Sequence, residues 1–288
     1  MDNTSEQSTE VAQRPTVTIF MPTLNEIDGV RSLIPRIKRE WCDELIVIDG
    51  GSTDGTVEYL REQGIDVRPE ERRGVVNAYN QAFRATRSDI FIAIQSDGNC
   101  LVELIPDLIR EARKGYDIVF VSRYLPPAKS YDDGAITAIG NYAFTRLINL
   151  LFRARYTDVL GGFRAYRRDA VLKMGLDVQP NENWLTARYD LLNTWELGGC
   201  VRAAKLKLHV HEMPGDEPAR IGGKSKVSTI RNGLLAFAQI TYEVVMGKSF
   251  IARSPRLRAQ YSSGVRNGLS GAADKPVGVG SAGAKYGA

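Results

Sequence analysis

Cysteine is scarce: the 288-residue chain has 3, at Cys42, Cys100 and Cys200, far apart and never in CxxC spacing. An odd, dispersed set builds neither a disulfide framework nor a zinc site, so inert thiols in a reducing compartment are expected. Long apolar runs are missing too. No stretch approaches the ~20 apolar residues that span a bilayer. The nearest, 135–152 and 234–246, are broken by Asn141, Thr145, Arg146, Asn149, Gln239 and Glu243 and read as core or interfacial helices. The N-terminal MDNTSEQSTEVAQR has no apolar centre, so 1–15 is expected to be a disordered arm and not a secretory signal. Internal repeats are absent, as are GxxxxGK[ST] and GxGxxG. The 2 histidines, His209 and His211, share a strand face without a third ligand at motif spacing, which favours a structural role.

The remaining composition falls in the ordinary soluble range: 43% hydrophobic and 25% charged residues. Charge is unevenly distributed. From Lys248 onward there are 7 basic residues and 1 acid, against 31 basic and 33 acidic residues before it. That segment is rich in Gly, Ser and Ala, so 251–288 is expected to be a flexible basic tail. A solvated tail without function is one reading. Attraction to an anionic leaflet, at about 1 kcal/mol per basic residue, is the other. Aromatic residues are not interleaved with the charges, which argues against nucleic acid.

Between 17 and 121 short apolar segments alternate with helical ones. Strands are expected at 17–21 (VTIFM), 44–49 (ELIVID), 66–68, 90–94 (IFIAI) and 117–121 (DIVFV). Helices are expected at 30–39, from Thr56, at 75–85 and at 106–113. This alternation implies a Rossmann-like, doubly wound, mostly parallel sheet with ligands at the strands' carboxyl ends. Farther on, helices are expected at 135–152, 167–174, 184–197 and 228–247, and strands near 200–210. The organisation that follows is a catalytic domain over 16–228, an amphipathic helix over 229–250 and the tail.

Polar clusters follow the strand ends: PTLNE, then DGGSTDGT, then QSDGN, then SRY. In the second, glycines allow close backbone approach, amides at the helix start suit an anion, and Asp49 can accept from a ribose or base. A self-contained turn capped by Asp54 is the alternative. In the third, an extended chain would put Gln95, Asp97 and Asn99 on one side, a thin Mg²⁺ or Mn²⁺ site. The helically spaced Tyr142, Phe144, Leu147, Ile148 and Leu151 read as core, with a lipid groove as the alternative.

The ordered series PTLNE, IDGGSTDGT, SDGN, SRY, GGFRAYRRD and R-x-x-G-x-S-K resembles glycosyltransferase family 2, closest to the polyprenyl-phosphate sugar synthases of the dolichol-phosphate mannose synthase kind. It covers about residues 16–232. The resemblance implies a GT-A fold, a UDP- or GDP-sugar donor and a divalent cation. By position, Pro22, Thr23, Asn25 and Glu26 would form the first nucleotide loop, and Asp49, Gly50 and Ser52 would meet the nucleoside. Asp97 would be the metal-binding aspartate. Gln95 stands where the family has the first Asp of D-x-D, and Asn99 where it often has Gln, so the metal site is weakened. Arg123 would meet the acceptor phosphate. Arg164, Arg220, Gly223, Ser225 and Lys226, with Lys224, would serve the diphosphate and acceptor loops. Asp190, or Glu182, would supply the last acid.

An acceptor phosphate suits these cations. A phosphate monoester, with a second pKa near ~6, is mostly ionised and needs no base. The enzyme must then hold two anions together and stabilise the departing nucleotide. The expected activity is inverting transfer to a polyprenyl phosphate by a cytoplasmic protein peripheral to the inner membrane face. A family 2 enzyme acting on a hydroxyl of a glycan or small molecule is the alternative, and an inactive nucleotide-sugar-binding relative is a further one.

Overall fold

The computed structural model describes residues 14–177, 195–222 and 229–249. The β-branched run of β1 (Val17–Thr23) lies central in a seven-stranded sheet, and its side chains alternate between two cores. Phe20 faces one core, and Ile19 and Met21 face the other. β1 pairs in parallel with β2 (Glu44–Asp49) and β4 (Ile90–Ala93), and β2 with β3 (Asp66–Pro69). Beyond β4 the order continues through β6 (Arg164–Arg167), β5 (Ile118–Ser122) and β7 (Val210–Pro214). β6 is antiparallel to both β4 and β5, whereas β7 is parallel to β5.

The helices α1 (Ile27–Leu33), α2 (Thr56–Glu62) and α4 (Ile105–Arg113) contribute Val30, Leu33, Leu60 and Leu108 to the core beneath one face. On the other lie α3 (Val75–Ala85), α5 (Ala135–Phe152), α6 (Arg168–Met174), α7 (Leu197–Leu206) and α8 (Thr229–Met246). The fully buried Trp195 centres that layer. Its ring lies 5.1 to 5.8 Å from the rings of Tyr79, Phe83, Phe91 and Tyr166, and its Nε1 donates to Asn80. Among the described residues no helix is long and apolar enough to cross a membrane.

Two expectations are corrected, and one strand went unread. The segment near 200–210 begins as a helix: Leu197, Cys200 and Val201 recur at helical spacing and are buried, and Ala203 completes the buried face. β6, within the GGFRAYRRD motif, is a strand that local pattern did not reveal; between β4 and β5 it makes the sheet mixed. The helix expected at 30–39 starts earlier and gives way to a tighter 3₁₀ turn at Ile34–Arg36, which contains Pro35. The 184–197 helix lies almost wholly outside the described residues.

Gly29 of α1 explains how the site's first wall is set. A Cβ there would overlap the Ser96 carbonyl oxygen and come within 2.8 Å of the Asp97 backbone, so only glycine lets α1 press against the turn after β4. Gly29→Ala is expected to cost about 1–3 kcal/mol by overpacking. Denaturant melting would show the loss, and unchanged stability would contradict this packing.

Candidate functional site

The carboxyl ends of β1, β2, β4 and β5 bring the polar clusters to one edge. The first two interlock. Asn25, at φ 51°, donates its backbone N–H to Ser52 Oγ (2.8 Å) and accepts the Thr53 amide on its own Oδ1 (2.7 Å). Asp54 accepts the Ile27 and Thr56 amides, so one carboxylate caps the starts of α1 and α2 together. The Asp49 carboxylate accepts the Gly51 and Ser52 amides at 2.9 Å and the Ser52 hydroxyl. Asp49 keeps about one lone-pair site for an outside donor. The expected anion cradle is therefore corrected: the amides of Gly51, Ser52, Thr53 and Thr56 are occupied within the loops. Gly50 N–H is also used, on the Thr23 carbonyl (2.9 Å). Pro22 is half-buried beside them. Thr23 Oγ1 is buried and makes no hydrogen bond.

The turn after β4 is not extended. Gly98 at φ 85° folds it, and Gln95 and Asn99 line a small cavity that Asp97 does not. The Asn99 amide reaches Glu217 (3.3 Å), while Gln95 packs against Gly162, where a Cβ would meet Gln95 Nε2 at 2.9 Å. Asp97 meets Arg220, whose Nη2 lies 2.7 Å from its carboxylate; Nη1 lies 3.5 Å from Glu26. Ile221 N–H donates to the Asp97 carbonyl (2.9 Å), and Gly222 packs on Asp28 so closely that a Cβ would clash. Residues 217–222 thus form a strap across the turn. Arg220 Nε is buried without a hydrogen-bond partner.

Arg123 sits beneath that strap. Its Nε and Nη2 grip both oxygens of Asp158 at 2.7 and 3.1 Å, and Nη1 contacts Glu217 (3.2 Å) and Asp133 (3.1 Å). Glu217 also accepts from Ser130 Oγ, and Asp158 from Asn141 (3.0 Å). Sequence reasoning missed Glu217, Asp133 and the role of Asp158; no local motif pairs residues so far apart. Arg164 is the clearest correction. It is fully buried, donates to the carbonyls of Gly161, Val159 and Glu196, and stacks 4.5 Å from the Phe120 ring, so it braces the 158–163 turn instead of presenting charge to a diphosphate. Asp190, Glu182, Gly223, Lys224, Ser225 and Lys226 lie outside the described residues.

The sequence profile described as "Glycosyl transferase family 2" matches residues 18–175, more than half of the chain. The protein belongs to glycosyl transferase family 2. Its fold and enzyme class follow: an α/β GT-A glycosyltransferase. A dolichyl-phosphate hexose transferase of Haloferax volcanii is 30% identical over 52% of this chain and 66% of that protein. An undecaprenyl-phosphate mannosyltransferase of Micrococcus luteus is 24% identical over 74% and 87%. The chain spans only 39% of a further Haloferax volcanii relative, the low-salt glycan biosynthesis hexosyltransferase Agl6, at 31% identity over 54% of this chain. Among solved structures, glucosyl-3-phosphoglycerate synthase from Mycobacterium tuberculosis, in complex with Mn²⁺, UDP and glucosyl-3-phosphoglycerate, superposes with a TM-score of 0.55 at 20% identity over 81% of this chain and 80% of its own.

In this glycosyltransferase, burial raises the Asp97 pKa, and Arg220 only partly offsets it. Burial likewise raises Glu217, against the pull of Arg123. Burial would raise Asp158 too, but its bonds to Arg123 outweigh that and leave its pKa below the ordinary value. Asp158 therefore stabilises the fold above the unfolded carboxyl pKa, about 3.9, and that stabilisation is lost as pH falls through the lower folded value. Glu217 has the opposite sign: its contribution is present at low pH and fades as pH rises through its raised pKa. Asp158→Asn is expected to cost about 3 kcal/mol, because it leaves a buried guanidinium short of a carboxylate. Its stability should also fall less steeply than wild type below about pH 4. Chemical denaturation across that range checks both, and parallel pH profiles would remove Asp158 from this role.

Proposed function

We propose that the protein transfers a sugar, with inversion, from a UDP- or GDP-sugar to a polyprenyl phosphate at the cytosolic face of a membrane. The observation that carries this reading is the strap, which holds Arg220 on Asp97 and Glu26 at the sheet's carboxyl edge with its Nε buried and unpartnered. A buried guanidinium nitrogen without an acceptor is costly, and a diphosphate oxygen would satisfy it. The relatives named for dolichyl and undecaprenyl phosphate support the acceptor.

In this reading the nucleoside enters between the first two loops, where Asp49 retains acceptor capacity and Thr23 Oγ1 lacks a partner. An acceptor phosphate oxygen attacks the anomeric carbon as the bond to the diphosphate breaks, and the nucleoside diphosphate leaves with the electron pair. The acceptor is already ionised, so no side chain removes a proton. The chain's work is to align the two anions and to present Arg220 to the leaving group.

The residues fit a divalent ion only with help from the donor. Asp97 is the one carboxylate of its turn, and Asn99 has turned away to Glu217. A Mg²⁺ or Mn²⁺ ion would be held by Asp97 together with phosphate oxygens and water, and would neutralise charge on the departing diphosphate. Among the described residues no group of three or more His, Cys, Asp or Glu side chains is placed to hold a metal ion.

Transfer assays and metal titrations test these assignments. Incubation with UDP- and GDP-sugars, Mn²⁺ and undecaprenyl phosphate should yield the lipid-linked sugar. Transfer to a sugar alcohol in its place would overturn the acceptor, and nucleotide binding without any transfer would favour an inactive protein. Asp97→Ala should lower kcat about a thousandfold while the circular dichroism spectrum stays unchanged; retained turnover would remove Asp97 from the site. Titration should also show Mn²⁺ binding weakly alone and more tightly with UDP. Arg220→Gln should strengthen binding of Mn²⁺ alone, since the ion no longer competes with an internal cation.

A further inference from the structure

A cleft of about 550 Å³ opens beside the C-terminal ends of α5 and α7, and no residue of the Asp97 turn lines it. Three exposed cations line it, Arg153, Arg155 and Lys207, and none forms an ion pair with a described residue. Between them the walls are apolar, with Leu125, Leu208 and Val210. The one carboxylate in the lining, Glu212, is engaged internally: it accepts the Thr157 amide (2.8 Å) and the Thr157 hydroxyl (2.9 Å). Arg153 and Lys207 are the C-terminal caps of α5 and α7 and hold positive φ, 54° and 55°. Glycine is favoured in that conformation, so each cation is retained against backbone preference. Cations do offset a helix's C-terminal dipole, but Arg155 belongs to no helix end.

The cleft adjoins an apolar pole. The Phe152 ring at the end of α5 lies 5.5 Å from Lys205 Nζ of α7, and Lys205 lies 2.6 Å from Glu243 of α8, so three helix C-termini meet. Leu150 is 78% exposed and Val245 is 81% exposed there, and Leu151 and Val244 are also exposed. α5 contains no acid, and the only acid of α8, Glu243, is fully buried between Arg202 and Lys205. Exposed Lys248 follows, and 250–288 then adds 6 basic residues and 1 acid. Exposed aliphatic side chains beside unpaired cations, with no exposed acid among them, match an anionic lipid surface. A second copy of the chain fits worse. A two-fold contact would set these cations against themselves without carboxylates to pair with.

We propose that this pole is the membrane-docking surface. Arg153, Arg155 and Lys207 receive the phosphate headgroups of anionic lipids in the cleft, and Leu150, Leu151, Val244 and Val245 enter the acyl boundary. The inference rests on the proposed membrane location and adds an orientation. Leu125 lies two residues beyond Arg123, and Tyr156, also in the cleft wall, two residues before Asp158. Docking by this pole therefore sets the bilayer beside the wall that carries the Arg123–Asp158 pair.

Co-sedimentation of the full chain with vesicles tests it. Wild type should bind phosphatidylcholine vesicles containing phosphatidylglycerol and not pure phosphatidylcholine vesicles. The variant Arg153→Glu/Arg155→Glu/Lys207→Glu should bind at least about a hundredfold more weakly, roughly fivefold for each cation lost with the repulsion of each new carboxylate in addition, with unchanged thermal melting. Leu150→Ser/Val245→Ser should also weaken binding to the anionic vesicles. Undiminished binding by the charge-reversed protein would assign the membrane contact to 250–288 alone and overturn the proposal. So would equal binding to neutral vesicles, or a wild-type dimer that Leu150→Ser/Val245→Ser converts to monomer with vesicle binding unchanged. Transfer to a short-chain, water-soluble prenyl phosphate is read separately. The charge-reversed protein should keep the wild-type rate, and absence of transfer in both proteins would count against the acceptor and not against the surface.

Discussion

Arg123 is bound by three carboxylates that come from three parts of the chain: Asp133 before α5, Asp158 after it, and Glu217 after β7. Its guanidinium ties the end of β5 to the turn that leads into β6 and to the strap over the Asp97 turn. Breaking such a buried pair by removing one partner costs about 3–5 kcal/mol, far more than any surface ion pair in the molecule. The placement of Arg220 depends on this anchor. Glu217 starts the strap, is held by Arg123, Ser130 and Asn99, and so fixes where Arg220 begins its reach to Asp97 and Glu26.

The strand ends were legible because their signals are local. Alternating strands and helices, and polar turns after each strand, require only neighbouring residues to be read. The parallel part of the sheet and the loops at 22–26, 49–56 and 95–99 came through for that reason. Arg123 and Arg164 did not, although both stood out as cations in suggestive motifs. What separates a ligand-facing arginine from a bracing one is its partners, and here those lie at positions 133, 158 and 217 for Arg123 and at 159, 161 and 196 for Arg164. No spacing rule reaches from Arg123 to Glu217 or from Arg164 to Glu196, and the nearby Gly161 and Val159 partners of Arg164 are backbone carbonyls with no sequence signature. β6 escaped for a similar reason: RAYR is a strand because β4 and β5 flank it, not because of its own pattern. In α5 the apolar series divides: Ile148 is core, Phe144 and Leu147 pack against it, and Tyr142 and Leu151 are exposed.

The same interlocking explains why the second turn looked like an anion cradle and is not one in this state. A glycine-rich turn at a helix start has several amides to satisfy, and either a ligand or the chain itself can do so. Here Asp49, Asn25 and Asp54 take most of them. The turn becomes a rigid wall, and what it offers a ligand is shape and the residual acceptor capacity of Asp49.

Self-satisfaction extends to the charges at the Asp97 turn, with a consequence for ligand exchange. Burial favours the protonated form of Asp97, and the Arg220 guanidinium is the main opposing influence. Without a cation in place the carboxyl would drift toward neutrality and lose its use as a ligand for one. Arg220 holds that position while leaving its own Nε without an acceptor. The internal pair is therefore good enough to keep the site charged and incomplete enough to be displaced. In the proposed reading, an incoming diphosphate with its counter-ion would exchange one set of ion pairs for another instead of creating charge pairs in an empty pocket. In such an exchange the large Coulomb terms nearly cancel. The gain then comes from what the internal pair leaves unmet: an acceptor for Arg220 Nε, and a cation for Asp97 that brings phosphate oxygens with it.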